Sequence, residues 1–305
     1  MVYSIVINNK PNLKKSRVVN GNSQYQCVAC RSPYVEYYLD LFMLPQKNIM
    51  NLPPSDKCQN PANTQLTNLV VPCDKYCTTI AIANPDYSIN SSVPQYLYVR
   101  GCQSTLTFNV EPSVTDSDLD SLNQYCEYDS SFYAFKSDGN PISVEYIASL
   151  CLTTITSDEK NIEPCNRFLG TGDAEHAISQ LRGSCNALRS KKNYACYQCE
   201  EEEQNCKKGN DGSQAYCIKR YMKVGDNKYY VKKGSTNINP YFTQSTCFDD
   251  ASSYSLSSFI DVQARKGVCF CSDKEYCNGG SFFDNSIKSI IIPVTTFIFF
   301  SIILS

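Results

Sequence analysis

The sequence predicts an all-β, disulfide-rich protein with two domains in tandem. Of its 305 residues 18 are cysteine, an even number, whereas there is one histidine and no tryptophan. Metal sites usually mix cysteine with histidine, so this composition favours disulfide bonds. Tyrosine is also abundant, at 22 residues, and it is enriched in β-strands. The length allows two or three domains, and a Cys-x-x-Cys pair opens each half of the chain, at Cys27 and at Cys196.

The cysteine content also predicts the compartment. Disulfides persist in oxidising surroundings, so we expect the chain to enter the secretory pathway. The N-terminal segment, 1–26, is a poor secretory signal, because its apolar run is short and the basic residues follow that run. Two explanations stay open: the start of the chain is mis-assigned, or the protein is cytosolic. The net charge of −2 is dispersed and lacks the basic surface that nucleic acid requires.

The C-terminal segment, 280–305, ends in an apolar run. Its last 17 residues, from Ser289 onwards, carry no charge. A lipid-anchor signal has small residues, a polar spacer and a terminal apolar stretch of about 10 to 20 residues, whereas a spanning helix needs about 20 residues and charged flanks. We therefore expect a glycolipid anchor on the outer face of the plasma membrane, and a short tail anchor is the alternative. The candidate attachment residues are Asn278, Gly279 and Gly280.

The second domain is predicted at 194–279, after a polar linker at 187–193. It opens with "YACYQC", continues with "AYCIKRYMKV" and closes with "CFCSDKEYCN". Within it, "CIKRYMKV" and "KYYVKKG" flank "GDN". Two alternating runs around a turn sequence predict a β-hairpin.

These stretches resemble the three-finger domain of the lymphocyte-antigen and urokinase-receptor superfamily. In that family three β-fingers project from a knot of disulfides, and the asparagine after the last cysteine helps to lock the knot. Two departures are visible, since Phe270 splits the usual adjacent cysteine pair and the bridge that ties the middle finger is absent. The resemblance implies four bridges by order, namely Cys196–Cys217, Cys199–Cys206, Cys247–Cys269 and Cys271–Cys277.

The first domain, predicted at 27–186, has the same opening and also ends in Cys-Asn, but it is much longer than the family's domain. "YVRGCQ" resembles the return strand of a middle finger. Cys165-Asn166 rivals Cys185-Asn186 as the end point, so the last four cysteines can pair in three ways. By order, the resemblance implies Cys27–Cys77, Cys30–Cys58, Cys73–Cys102, Cys126–Cys151 and Cys165–Cys185.

Insertions explain the extra length of the first domain. "AEHAISQL" has helical spacing, which predicts partly helical insertions into a β-domain. The aromatic segment "YVEYYLDLFMLP" lies between Cys30 and Cys58, and Pro45 ends it. We expect this segment to form a short helix buried against the sheet, and a contact patch for a partner is the alternative.

The hairpin of the second domain is the candidate recognition site. Its strands carry six basic residues, while 200–203 in the neighbouring finger are four glutamates. Opposite charges on adjacent fingers either keep a small sheet soluble or steer a charged partner, and tyrosines at the tip are suited to anchor it. The predicted partner-binding finger consists of Lys219, Arg220, Lys223, Lys228, Tyr229, Tyr230, Lys232 and Lys233. In the first domain, "NSS" at Asn90 is an acceptor for N-glycosylation if the chain enters the secretory pathway.

Signatures of catalysis are sparse. The sequence has no Gly-x-Ser-x-Gly, no phosphate loop and no metalloprotease helix, and His176 is its one imidazole. We expect neither catalysis nor a cofactor, but a binding protein. The resemblance implies that it modulates a membrane receptor or channel, as in neuronal signalling, or captures a secreted ligand. One alternative is an adhesion or structural protein with homotypic contacts. Another is a cytosolic protein that binds zinc, either through Cys27, Cys30, Cys73 and Cys77 or through Cys196 and Cys199 with later cysteines.

Overall fold

The protein has an all-β, disulfide-rich fold, with 14 strands and two short α-helices among the residues described. The computed structural model describes residues 25–59, 68–119, 123–152, 164–167, 182, 185, 192–201, 213–224, 228–257 and 260–279. The first half, 25–185, contains β1 (Tyr25–Val28), β2 (Cys30–Arg31), β3 (Val70–Cys73), β4 (Tyr76–Ala83), β5 (Tyr96–Cys102), β6 (Gln124–Phe135) and β7 (Pro141–Leu152). The second half, 192–279, contains β8 (Tyr194–Ala195), β9 (Cys199–Glu201), β10 (Ser213–Gln214), β11 (Tyr216–Val224), β12 (Lys228–Thr236), β13 (Ser245–Ser257) and β14 (Ile260–Cys271).

The two halves repeat one topology. The strand order is β2-β5-β4-β7-β6 in the first five-stranded sheet and β9-β12-β11-β14-β13 in the second. All neighbouring strands are antiparallel. Each half also has a two-stranded sheet near its start, formed by β1 with β3 and by β8 with β10. Each half therefore presents two long hairpins, β4–β5 with β6–β7 and β11–β12 with β13–β14.

Disulfide bonds join the strands near the bases of these hairpins to one another and to the adjoining turns. The described residues contain eight disulfides and no free cysteine. Cys206, the expected partner of Cys199, lies outside the described residues. Six of the eight join the pairs that the resemblance implies: Cys27–Cys77, Cys30–Cys58, Cys73–Cys102, Cys196–Cys217, Cys247–Cys269 and Cys271–Cys277.

The other two disulfides correct the expected order. The bridges Cys126–Cys151 and Cys165–Cys185 are wrong, because the structure joins Cys126 to Cys185 and Cys151 to Cys165. The reason is the position of each sulfur along one face of the sheet, since Cys126 pairs with Ser149 of β7, two residues before Cys151. Cys126 and Cys185 belong to one buried cluster, whereas Cys151 lies in another, against which Cys165 packs.

An asparagine locks the base of each half in the same way. Asn278 follows Cys277, accepts a hydrogen bond from the Tyr197 N–H at 3.0 Å and donates to the Tyr197 carbonyl at 2.9 Å. Asn166 follows Cys165, accepts from the Val28 N–H at 2.8 Å and donates to the Val28 carbonyl at 2.9 Å. Asn166 is thus the structural counterpart of Asn278, and Cys165-Asn166 closes the repeat in the first half.

The aromatic insertion packs between the two sheets. It does not form the expected helix before Pro45, but two 3₁₀ turns, Val35–Tyr37 and Leu39–Phe42. The short helix α1 (Gln46–Met50) begins directly after Pro45, because proline is tolerated at a helix start and not inside it. The buried core that holds Phe42 and Ile49 also includes Ile218 and Phe270 of the second half. The second helix, α2 (Gln103–Leu106), follows β5, and "AEHAISQL" lies outside the described residues.

No helix among the described residues is long and apolar enough to cross a membrane. The apolar C-terminal run lies beyond them.

Candidate functional site

The predicted basic finger is the β11–β12 hairpin, and its cations lie on two opposite faces. Lys219 pairs with Lys233 across the hairpin, and Arg220 pairs with Lys232. Because side chains alternate between the faces of a sheet, the first pair points away from the second. The side chains of Lys223, Lys228 and Tyr229 lie outside the described part.

The first pair is buried within the second half. Lys219 is 4% exposed and Lys233 is 1% exposed. The Lys233 ammonium lies 5.7 Å from the centre of the Tyr197 ring. Burial, and secondarily the charge of Lys233, lowers the pKa of Lys219 to about 8. These two lysines are therefore not part of an exposed face, and the expectation that they meet a partner is wrong.

The second pair faces the first half of the chain. The Arg220 guanidinium carbon lies 5.1 Å from the centre of the Phe132 ring, and Arg220 Nη2 is 3.3 Å from the sulfur of Met43. The Lys232 ammonium lies 4.0 Å above the Tyr133 ring. Burial lowers the pKa of Arg220, partly offset by Tyr146 and Asp40. The hairpin expected to recognise an external partner thus binds the other half of its own chain.

We call the contact between the first and second halves of the chain the junction. Two buried carboxylates on β6 strengthen it. Glu127 accepts hydrogen bonds from the Tyr216 hydroxyl at 2.6 Å and from the Asn239 N–H at 2.7 Å. Asp129 accepts from the Thr236 hydroxyl at 3.3 Å and from the Asn237 N–H at 3.0 Å. Burial raises the pKa of the Tyr216 hydroxyl, and the negative charge of Glu127 raises it further.

Sequence reasoning missed both carboxylates. The available signal was two acids at alternate positions of "CEYDSS", which places them on one face of a strand. A charged residue on a strand face is more often solvated than buried, so the pattern alone does not indicate a junction.

Contacts outside the hairpin join the halves as well. The Lys266 ammonium forms an ion pair with Asp40 at 3.2 Å. The Ser113 N–H donates to the Phe242 carbonyl at 2.8 Å, and the Tyr125 ring meets the Phe242 ring edge-on, with centroids 6.1 Å apart. The halves consequently share one core and one set of polar contacts.

Three aromatic side chains beside the junction are exposed to solvent. We call Tyr133, Phe135 and Tyr230 the aromatic edge; they are 40%, 51% and 39% exposed. The Tyr133 and Phe135 rings meet edge-on, with centroids 5.1 Å apart. Tyr230 is two residues from Lys232 on β12, and so it projects from the face that meets Tyr133.

A cleft of about 340 Å³ adjoins this edge at the junction. Phe132 and Tyr133 line one side of it, and Arg220 and Lys232 line the other. The cleft is thus lined by aromatic rings and by two cations, and clefts between domains are common binding sites.

The remaining predicted residues are dispersed. Asn90 is exposed in the loop between β4 and β5. Asn278 is buried, and its side chain is bonded to the backbone of Tyr197. Gly279 packs close to the Tyr197 ring. Gly280 and His176 lie outside the described residues.

Three of the cysteines considered as zinc ligands lie close together in the structure. The sulfurs of Cys27, Cys73 and Cys77 lie within 4.8 Å of one another. Cys27 is bonded to Cys77, and Cys73 is bonded to Cys102. A zinc ion binds thiolates, so these sulfurs in their bonded state do not offer a zinc site.

Comparisons with known proteins give no family: no family model, no curated protein and no solved structure matches the chain.

Proposed function

We propose that this chain is a cell-surface binding protein, held outside the cell by a C-terminal glycolipid anchor, which recognises another protein through the aromatic edge. The many disulfides indicate an extracellular or secreted protein, since such bonds persist in oxidising surroundings. The small residues and apolar run after Cys277 support the anchor.

The single observation that carries the recognition site is the exposure of three large aromatic side chains at the junction of the halves. Tyrosine supplies much contact area for little conformational entropy and is enriched at binding hot spots. Tyr133 and Phe135 belong to the first half and Tyr230 belongs to the second. A partner bound there depends on both halves being docked.

The repeated topology supports the proposal that both halves are three-finger domains of the lymphocyte-antigen and urokinase-receptor superfamily. The two Cys-Asn locks and six of the disulfides agree with that resemblance. Under it, the partner is a membrane receptor or channel, or a secreted ligand.

A binding assay tests the recognition site. The full chain, displayed on cells, is probed with a panel of labelled soluble ectodomains of receptors, channels and secreted ligands. The double variant Tyr133→Ser, Phe135→Ser is expected to weaken binding at least tenfold, because it removes two anchors of the aromatic edge.

Tyr87→Ser is the matched control for that assay. Tyr87 is exposed to a similar degree, at 39%, but lies on the β4–β5 loop. Equal binding by the double variant and the control contradicts the aromatic edge as the site. Clumping of the displaying cells without any added protein favours homotypic adhesion instead.

A release experiment tests the anchor. Treating intact cells with a phosphatidylinositol-specific phospholipase is expected to release the protein into the medium, as a glycolipid is its only proposed attachment. Nitrous acid, which cleaves such anchors even when their inositol is acylated, provides the second readout. Retention after both treatments contradicts the glycolipid anchor and favours a tail anchor.

A further inference from the structure

The loop that joins β4 to β5 is held in one conformation by its own polar groups. The Asn84 N–H donates to the Gln95 carbonyl at 2.8 Å, and Asn84 Nδ2 donates to the Pro94 carbonyl at 2.9 Å. The Asn84 side-chain oxygen accepts from the Asp86 N–H at 3.0 Å. Asn84, at the start of the loop, is therefore bonded to residues at its end, and residues 86–93 form the outer turn between them.

Asp86 ties this loop to two other elements. Its carboxylate accepts the Ser137 N–H at 2.8 Å from the β6–β7 turn, and it also accepts the Tyr38 hydroxyl from the aromatic insertion. Burial acts to raise the pKa of Asp86, but hydrogen bonds from Ser137 and Tyr38 outweigh it and hold the pKa below its ordinary value. The loop thus has a fixed orientation relative to the neighbouring hairpin.

Asn90, Ser91 and Ser92 occupy the outer turn of this loop. All three residues are exposed, and they form the only Asn-x-Ser/Thr sequence in the 305 residues. The Asn90 side-chain oxygen accepts the Ser92 N–H at 2.9 Å, the geometry of an Asx turn. The oxygen of the amide is thereby engaged within the turn, and the nitrogen is the atom to which an N-linked sugar attaches. The turn can persist after the attachment.

We propose that Asn90 carries an N-linked oligosaccharide, an inference that rests on the export of the chain under the proposed function. The donor is a lipid-diphosphate-linked oligosaccharide. The amide nitrogen of Asn90 bonds to the anomeric carbon of the sugar, the bond from that carbon to the phosphate oxygen breaks, and the lipid diphosphate leaves as the amide nitrogen loses one proton. The sequence requirement is met because Ser91 is not proline and Ser92 supplies the hydroxyl.

The position of Asn90 indicates which exposed side chains the oligosaccharide would cover. Tyr87 and Ile89, which are 39% and 53% exposed, lie within three residues of Asn90 on the same turn. A hydrated glycan beside them covers apolar surface that would otherwise favour association between molecules. The aromatic edge lies on β6 and β12, outside this loop, so a glycan at Asn90 would not be attached to the surface proposed for recognition.

The test expresses the full chain in a eukaryotic secretory host and treats it with peptide N-glycosidase. The wild type is expected to lose one oligosaccharide and to acquire aspartate at residue 90, detected by peptide mass. Ser92→Ala is expected to abolish the glycan, whereas Ser91→Ala and Ser92→Thr, which preserve the acceptor sequence, are expected to retain it.

The state of the cysteines in the same sample separates the possible failures. A chain with oxidised cysteines and an unmodified Asn90 overturns the glycan and leaves the proposed function standing. A chain with reduced cysteines and no glycan overturns both.

Discussion

At the scale of single residues, buried polar groups near the disulfides position the strands. Arg100 and Lys233 occupy equivalent places, since each pairs with the second cysteine of a Cys-x-x-Cys motif, Cys30 or Cys199. Arg100 is fully buried, donates to the Cys58 carbonyl at 2.8 Å and also donates to the Asn166 carbonyl. Burial lowers the pKa of Arg100 to about 10. The equivalence gives Lys233 a structural role, which the charge pattern of its strand did not indicate.

Replacing Asn166, the asparagine that locks the base of the first half, tests how much these buried polar groups stabilise the fold. Asn166→Ala leaves the buried N–H and carbonyl of Val28 without their partner, so we expect the free energy of unfolding to fall by about 3 kcal/mol. Denaturant unfolding under non-reducing conditions measures the change.

Asn140→Ala serves as the control for this substitution. Asn140 is exposed in the β6–β7 turn, and the free energy of unfolding should change by less than about 0.5 kcal/mol. If both variants unfold alike, the asparagine lock does not stabilise the first half.

At the scale of elements, local patterns were predictable from the sequence and long-range contacts were not. The β11–β12 hairpin was predictable because "GDN" separates two alternating runs. The pairing of Cys126 with Cys185 was not, because it depends on where each sulfur lies along one face of the sheet, and the two residues are 59 positions apart in the sequence. The aromatic insertion was expected on a sheet, but its position between two sheets follows only from their docking.

The candidate site also has residues that were predictable from the sequence and residues that were not. Tyr230 was predictable as an exposed anchor, because it follows a turn at the tip of a hairpin. Tyr133 and Phe135 were missed. The turn sequence "SDGN" follows them closely, much as "GDN" precedes Tyr230, but this signal does not show that the second half lies beside them. The four basic residues of β11 and β12 whose side chains are described were misassigned, because sequence shows their charge but not their burial or the aromatic rings of the first half that lie against Arg220 and Lys232.

The contact between β6 and the second half provides a prediction at this scale. Glu127→Gln preserves the shape of the side chain but removes the charge that accepts hydrogen bonds from Tyr216 and Asn239. We expect the free energy of unfolding to fall by about 2 kcal/mol, as charged acceptors contribute more than neutral ones. The amide of Asn239 should also exchange faster with solvent deuterium.

Glu111→Gln is the control for the junction. Glu111 is an exposed acid of the first half, so neither stability nor exchange at Asn239 should change measurably. Unaltered exchange at Asn239 in Glu127→Gln contradicts a structural role for the buried carboxylate.

At the scale of the whole molecule, disulfides and a shared core compensate for the small size of the second half, 192–279. A domain of about 80 residues buries little apolar surface by itself. Each bridge destabilises the unfolded chain by about 2–4 kcal/mol. The largest core contains residues from both halves, among them Tyr146 and Phe270. The halves are therefore expected to unfold as one unit, and the aromatic edge exists only while they are docked.

The state of the cysteines in protein expressed in a eukaryotic secretory host tests this account most directly. All 18 cysteines lie between residues 27 and 277, so every one of them would remain in place if the proposed C-terminal signal were removed. We predict that the denatured, unreduced protein binds no thiol reagent, that reduction exposes 18 thiols, and that a peptide map links Cys126 to Cys185 and Cys151 to Cys165. Free thiols before reduction, or thiols that appear only when zinc is removed, would contradict it.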